Sequence, residues 1–156
     1  MNANASATVH PAAAASRFWV LGDQLSIRGN LEGTTLNVVD VVVPPGGGTP
    51  PHSHPSPEIF RILDGTIRIW SVVDGRPTEM DAGAGDVVTI AAHAPHGYRN
   101  VSGAPVSLMA VVDEQTMGFF RAAATDEAPE GPPTADVIGQ IMKLSADHGI
   151  TILTAP

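Results

Sequence analysis

Read for its alternation of apolar and polar positions, the chain divides into short runs punctuated by glycine and proline. The run TLNVVDVVV, from Thr35 to Val43, is β-branched and ends at PPGGG. It is too apolar to face water on both sides, which predicts a central strand. EIFRIL from Glu58 and TIRIWSVV from Thr66 are joined by Asp64 and Gly65. An Asp-Gly pair between apolar runs predicts a hairpin with a type I′ turn, and Asp74 and Gly75 repeat the device. GDVVTI, GYRN and VSLMAVVDE add short strands at regular intervals, the spacing of a β-sandwich or barrel.

The pattern changes after Val112. MGFFRAAA, from Met117, is expected to open a short helix, and TDEAPEGPPT reads as a proline-broken loop. ADVIGQIMKLSADHG places apolar residues at 137, 138, 141, 142 and 144, one face of a helix, with Thr134 as its N-cap and Gly149 as its stop. This helix is expected to pack outside the β domain rather than to close over a pocket. The small, polar, alanine-rich residues 1–17 bury too little to order themselves and are expected to form a mobile tail. Residues 18–156 then form one domain, with a helical extension from about residue 117.

Composition narrows the function. At 156 residues and 43% hydrophobic content the chain fits one domain with a real core. Few aromatics, 16 glycines and 14 prolines favour an all-β fold of tight turns. Eight basic against sixteen acidic residues give a net charge of −8, so no basic stripe exists to meet nucleic acid or an anionic membrane. Cysteine is absent, which removes disulfides, thiolate metal sites and cysteine nucleophiles together. The opening MNANASATVHPAAAASR has neither a basic start nor an unbroken apolar stretch, so a soluble cytoplasmic protein is expected.

Candidate chemistry gathers in GGGTPPHSHPSPEIFRILDG, Gly46 to Gly65. On an extended chain His52, His54 and Glu58 share a parity and would point one way. Pro55 and Pro57 interrupt that extension but stiffen the chain between them. A fourth candidate, His96, lies in AAHAPHGYRN, on a different strand. Imidazoles with one carboxylate suit Fe, Mn, Co, Ni, Cu or Zn rather than Ca or Mg. On residues alone, a histidine-rich surface loop and a metal site both remain open. Phe60 and Ile62 share Glu58's parity and Tyr98 shares that of His96, so they are candidates for a pocket wall or for plain core. His93 reads as an exposed turn residue, and His10 and His148 as solvated loop residues. Gly46, Gly65 and Gly85 read as turn devices, since no helix start follows them as anion binding would need.

Gly46, His52, Ser53, His54, Glu58 and Gly65 resemble, at every fixed position, the first motif of the cupin superfamily. Gly85, Pro95, His96 and Asn100 fall on its second motif, with Ala91 where that motif has proline and His93 where it has glycine. The FWVLGD opening, the PPGGGTPPHSH approach and the MGFFR segment are similar to small bacterial cupins of the quercetin dioxygenase-like kind. The resemblance implies a single cupin jelly-roll barrel and one divalent transition metal held by His52, His54, Glu58 and His96. It also implies a metal-dependent oxidoreductase, a dioxygenase acting on a small aromatic or enolic substrate such as a flavonol. In that scheme Glu58 doubles as general base and Phe60, Ile62 and Tyr98 line the substrate pocket. A non-catalytic ligand-binding or sensing cupin, or an isomerase or cyclase using the metal as a Lewis acid, fits the same residues. A homodimer is expected, because sheet edges and a long apolar strand such as TLNVVDVVV tend to be covered by association.

Overall fold

The computed structural model describes residues 6–154. Among them the strands are β1 (Ser16–Val20), β2 (Asp23–Asn30), β3 (Asn37–Val43), β4 (Gly48–Ser53), β5 (Glu58–Asp64) and β6 (Thr66–Val73). β7 (Arg76–Gly83), β8 (Val87–Ile90), β9 (His96–Arg99) and β10 (Val106–Val112) follow, then helices α1 (Glu114–Ala123) and α2 (Ala135–Asp147) and the short β11 (Thr151–Ile152). They build two antiparallel sheets, ordered β1-β2-β3-β10-β5-β8 and β11-β4-β9-β6-β7. The fold is all-β in two layers of jelly-roll kind, as expected.

β3 lies between β2 and β10 and buries Asn37, Val39, Val41 and Val43 in strict alternation. Both sheets turn side chains into one core, where Ile62 of β5, Ile67 of β6 and Leu108 of β10 are almost wholly buried. Each such aliphatic side chain contributes roughly 1.5–3 kcal/mol relative to exposure.

The two Asp-Gly pairs behave differently. Asp74 and Gly75 have φ of 50° and 74° and close a true hairpin between β6 and β7, with Val73 opposite Arg76. Asp64 and Gly65 do not form the expected hairpin: β5 and β6 belong to opposite sheets. Only Gly65 takes positive φ there, at 81°, and a Cβ on it would lie 2.9 Å from Val106 Cγ2. The pair is a corner at which the chain changes layers, and tertiary packing decides between the two outcomes.

Two boundaries also shift. α1 starts at Glu114 rather than near Met117, because the Asp113 carboxylate accepts from the Thr116 N–H at 3.0 Å and caps the helix. At the amino end, residues 1–5 of the anticipated tail lie outside the described residues. Ala12–Ala14 form one 3₁₀ turn, and Ser16 and Arg17 already pair in β1. α2 runs from its Thr134 cap, and Gly149 follows at φ 74°. Among the described residues no helix is long and apolar enough to cross a membrane.

Candidate metal centre

β4 and β9 are neighbours in one sheet, and their register sets His52 directly opposite His96. Pro50 and Pro51 have no N–H to give, and the ladder shifts between Thr49 and His52. Close approach of the two strands requires Gly48, since a Cβ there would fall 2.1 Å from the Tyr98 carbonyl oxygen. Asn100 clamps the approach to β4. Its amide side chain donates to the Val43 and Ala104 carbonyls, and its backbone exchanges hydrogen bonds with Gly46 and Gly47 at 2.9 Å.

His54 follows β4, and Glu58 opens β5 in the facing sheet. The imidazole centroids are 4.2 Å apart for His52 and His96, 4.9 Å for His54 and His96, and 5.3 Å for His52 and His54. Each ring offers one nitrogen within 4.8 Å of the others. Glu58 Oε2 lies 3.4 Å from His96 Nε2, and Glu58 Oε1 lies 3.8 Å from His54 Nε2. Ligand atoms bound at about 2.1 Å to one ion stand roughly 3.0–3.5 Å apart, so the cluster is close to the size of a first coordination sphere.

The hydrogen bonds point the same way. Nδ1 of His52 pairs with the Pro50 carbonyl and Nδ1 of His96 with the Ala94 carbonyl, each at 2.8 Å. A carbonyl only accepts, so both Nδ1 atoms carry the proton and both Nε2 atoms keep a lone pair. His96 Nε2 and His54 Nδ1 are buried without a hydrogen-bond partner, a state that costs about 1–3 kcal/mol per group unless something fills it. Burial, with the neighbouring His96, pushes His52 down to about 4, and burial also lowers His54. Both are therefore neutral near pH 7, the form that binds metal. These residues fit a divalent transition metal.

The turn before His96 departs from the motif without losing its shape. His93 takes φ of 64°, where the motif has glycine, and its side chain is exposed as expected. Its N–H still donates to the His54 carbonyl at 2.7 Å.

The cluster opens on apolar space. A pocket of about 80 Å³ at the histidines is lined by Phe60, Tyr98, Leu108, Ala110, Phe119 and Phe120, among others. It adjoins a chamber of about 230 Å³ that shares His52 and Tyr98 and reaches Asp23, Leu25 and Val41. A larger open groove along Arg68, Trp70 and Arg99 contains none of the cluster residues.

Of the anticipated wall residues, Phe60 and Tyr98 meet edge to face at 5.9 Å beside the cluster. Ile62 is fully buried in the core and does not line the pocket. α2 lies outside both sheets, yet Ile138, Ile141 and Met142 roof the chamber, so packing outside and covering a pocket are one role. His148 is not a solvated loop residue: it is half-buried at the end of α2, bonded to the Leu144 carbonyl and set against Phe119. Sequence reasoning missed Asp23, which is buried and accepts the Tyr98 hydroxyl at 2.6 Å. Its signal was parity, since it alternates inward with Leu25 along β2.

Residues 39–112 match the family model described as the cupin domain. Germin-like protein 1-1 of Oryza sativa subsp. japonica is 26% identical over 117 residues, 74% of this chain and 53% of that protein. The chain thus spans about half the length of that curated relative. Among solved structures, the oxalate decarboxylase formate complex of Lactobacillus farciminis is similar with a TM-score of 0.55 and 20% identity, over 65% of this chain and 31% of that one. An RmlC-like cupin from Shewanella frigidimarina gives 0.55 and 17%, over 70% and 92%. The Drosophila melanogaster CENP-C cupin domain gives 0.57 and 15%, over 70% and 84%. At these identities the structural likeness concerns the fold.

Proposed function

From the match of residues 39–112 to the cupin domain we propose that the chain is a metal-dependent oxidoreductase, a dioxygenase taking a small aromatic or enolic substrate. The observation that carries the reading is the convergence of His52, His54, Glu58 and His96 at an apolar pocket, with the buried Nε2 of His96 orphaned beside Glu58. Those four residues would hold one divalent transition metal, which when bound supplies positive charge and an open position for a substrate hydroxyl or enol oxygen.

The chain's own groups do the rest. Phe60, Leu108, Phe119 and Phe120 present apolar surface to an aromatic ring and keep water from the histidines. Glu58 stands between His54 and His96, placed to take the substrate's proton as general base. Pocket and chamber together come only to the lower end of small-molecule sites, about 300 Å³, which favours one- or two-ring substrates over larger ones. The test is metal analysis of the purified protein followed by oxygen uptake with phenols, enols and flavonols. Conversion of a substrate without oxygen uptake would replace the dioxygenase by a Lewis-acid isomerase or cyclase. Tight binding without conversion would replace it by a ligand-binding module.

A further inference from the structure

The turn between β1 and β2 is built against its own preference. Val20 pairs with Asp23, which leaves Leu21 and Gly22 to reverse the chain. Leu21 takes a positive φ of 58°, while Gly22, the residue free to do so, does not. Two-residue hairpin turns place glycine or asparagine at such an angle, and a bulky side chain there is strained. Leu21 is half-buried, yet it is not among the side chains packed on the core. It lines the chamber of about 230 Å³. Ile138 and Met142, one turn apart on α2, line the same chamber and are each 49% exposed. Side chains that line a cavity and also meet solvent mark its mouth. Tyr98, Phe119 and Phe120 line both the chamber and the metal pocket, and so mark its inner end.

We propose that the β1–β2 turn and α2 are the two lips of the substrate entrance, and that Leu21 is a specificity-determining residue whose side chain limits the width of the ring admitted. The inference rests on the reading of the chamber as a substrate site. It adds the direction of approach, inward past Leu21 and Ile138 to the histidines. Glycine at position 21 would relax the backbone but leave that lip without an apolar wall. The strain is accounted for by what the side chain does at the chamber, since the core gains nothing from it. A turn of two residues between paired strands also has little freedom to withdraw the side chain, which makes it a fixed limit on width.

The test uses the purified metal-loaded protein with 2-naphthol and 9-phenanthrol, which carry one hydroxyl each and differ by one fused ring, titrated by their fluorescence. The parent should favour 2-naphthol. Leu21→Ala removes the side chain and keeps the strained turn, whereas Leu21→Gly removes both. Each should shift the ratio of affinities about tenfold or more toward 9-phenanthrol, the worth of a small change in the size of an apolar pocket. Ile138→Trp crowds the other lip and should shift the ratio the opposite way. Elemental analysis and thermal unfolding verify that the variants are loaded and folded, and a merely structural role for Leu21 would lower the unfolding temperature without moving the ratio. Equal affinities in the parent, or a ratio unchanged in both Leu21 variants while 2-naphthol still binds, would overturn the role of Leu21 and leave the chamber standing. An unchanged ratio in Ile138→Trp would overturn α2 as a lip. If 2-naphthol does not bind the parent, the reading of the chamber as an aromatic site fails and the entrance fails with it.

Discussion

The backbone N–H of His93 donates to the carbonyl of His54 over 2.7 Å, and it does so from a left-handed conformation, φ 64°. One metal-ligand candidate is thus held by the turn that leads to another. A non-glycine residue in that region costs about 1 kcal/mol, and the His93 side chain is exposed, with no hydrogen bond to offset it among the described residues. His93→Gly should therefore raise stability by up to about 1 kcal/mol in urea unfolding. His93→Pro should lower it by more, because it removes the donor and forbids the angle. A His93→Gly variant less stable than the parent would show that the imidazole contributes something this geometry does not contain.

Metal content separates the histidines. One divalent transition metal is expected per chain, and His96→Ala should lose most of it after gel filtration, since His96 Nε2 is a buried orphan beside Glu58. His93→Ala should keep full occupancy. Elemental analysis showing an undiminished ion in His96→Ala would remove His96 from the ligand set.

Much of this arrangement was legible because two motifs name residues whose parity the fold respects. His52 and His96 face each other because β4 and β9 pair in register. What the sequence hid lies where tertiary contacts override local signals. Asp64 and Gly65 carry a hairpin signature but turn a corner, because β5 finds β10 and β8 as partners instead of β6. β7, RPTEMDAG, is polar and begins beside Pro77, and it is a strand because the Asp74-Gly75 turn sets it against β6. For Asp23 the chain offers only its parity with Leu25 along β2. Its burial depends on Tyr98, far away in the chain.

Glu58 distinguishes catalysis from binding. Glu58→Gln keeps a carbonyl oxygen for the metal but cannot take up a proton at neutral pH. With metal restored by excess, turnover should fall about a hundred- to ten-thousand-fold while binding of a non-reactive substrate analogue persists. Parent-like turnover in the saturated variant would eliminate the base role.

Association is expected through the more exposed apolar face of the six-stranded sheet. β3 is central, and its outward residues Val38, Asp40 and Val42 are half-buried. Ile59 and Leu63 of β5 and Val87 of β8 are instead 43%, 48% and 59% exposed on adjacent strands of one sheet, a patch suited to a second copy of the chain. Light scattering should give twice the mass of one chain, and Leu63→Lys should shift it toward one. A parent protein of single-chain mass across a wide concentration range would refute the dimer.

Asp23 predicts an unusual dependence of stability on pH. Burial pushes its carboxyl up from 3.8 to about 6, with the Tyr98 hydrogen bond acting the other way. Between those values the unfolded chain has released the proton and the folded chain still holds it, so raising the pH favours unfolding. The contribution is fully present below 3.8 and is lost as pH rises through about 6. At about 1.4 kcal/mol for each tenfold change in the ionisation equilibrium, the loss by pH 8 is about 3 kcal/mol. Asp23→Asn has no proton to release and keeps the acceptor for Tyr98. Its stability relative to the parent should therefore be level near pH 4 and rise to an advantage of up to about 3 kcal/mol near pH 8. Urea unfolding of parent and variant in parallel isolates this one group, because every other titration is common to both. A difference that stays constant with pH, or a variant less stable than the parent at pH 8, would mean that burial does not hold the Asp23 carboxyl above its ordinary value.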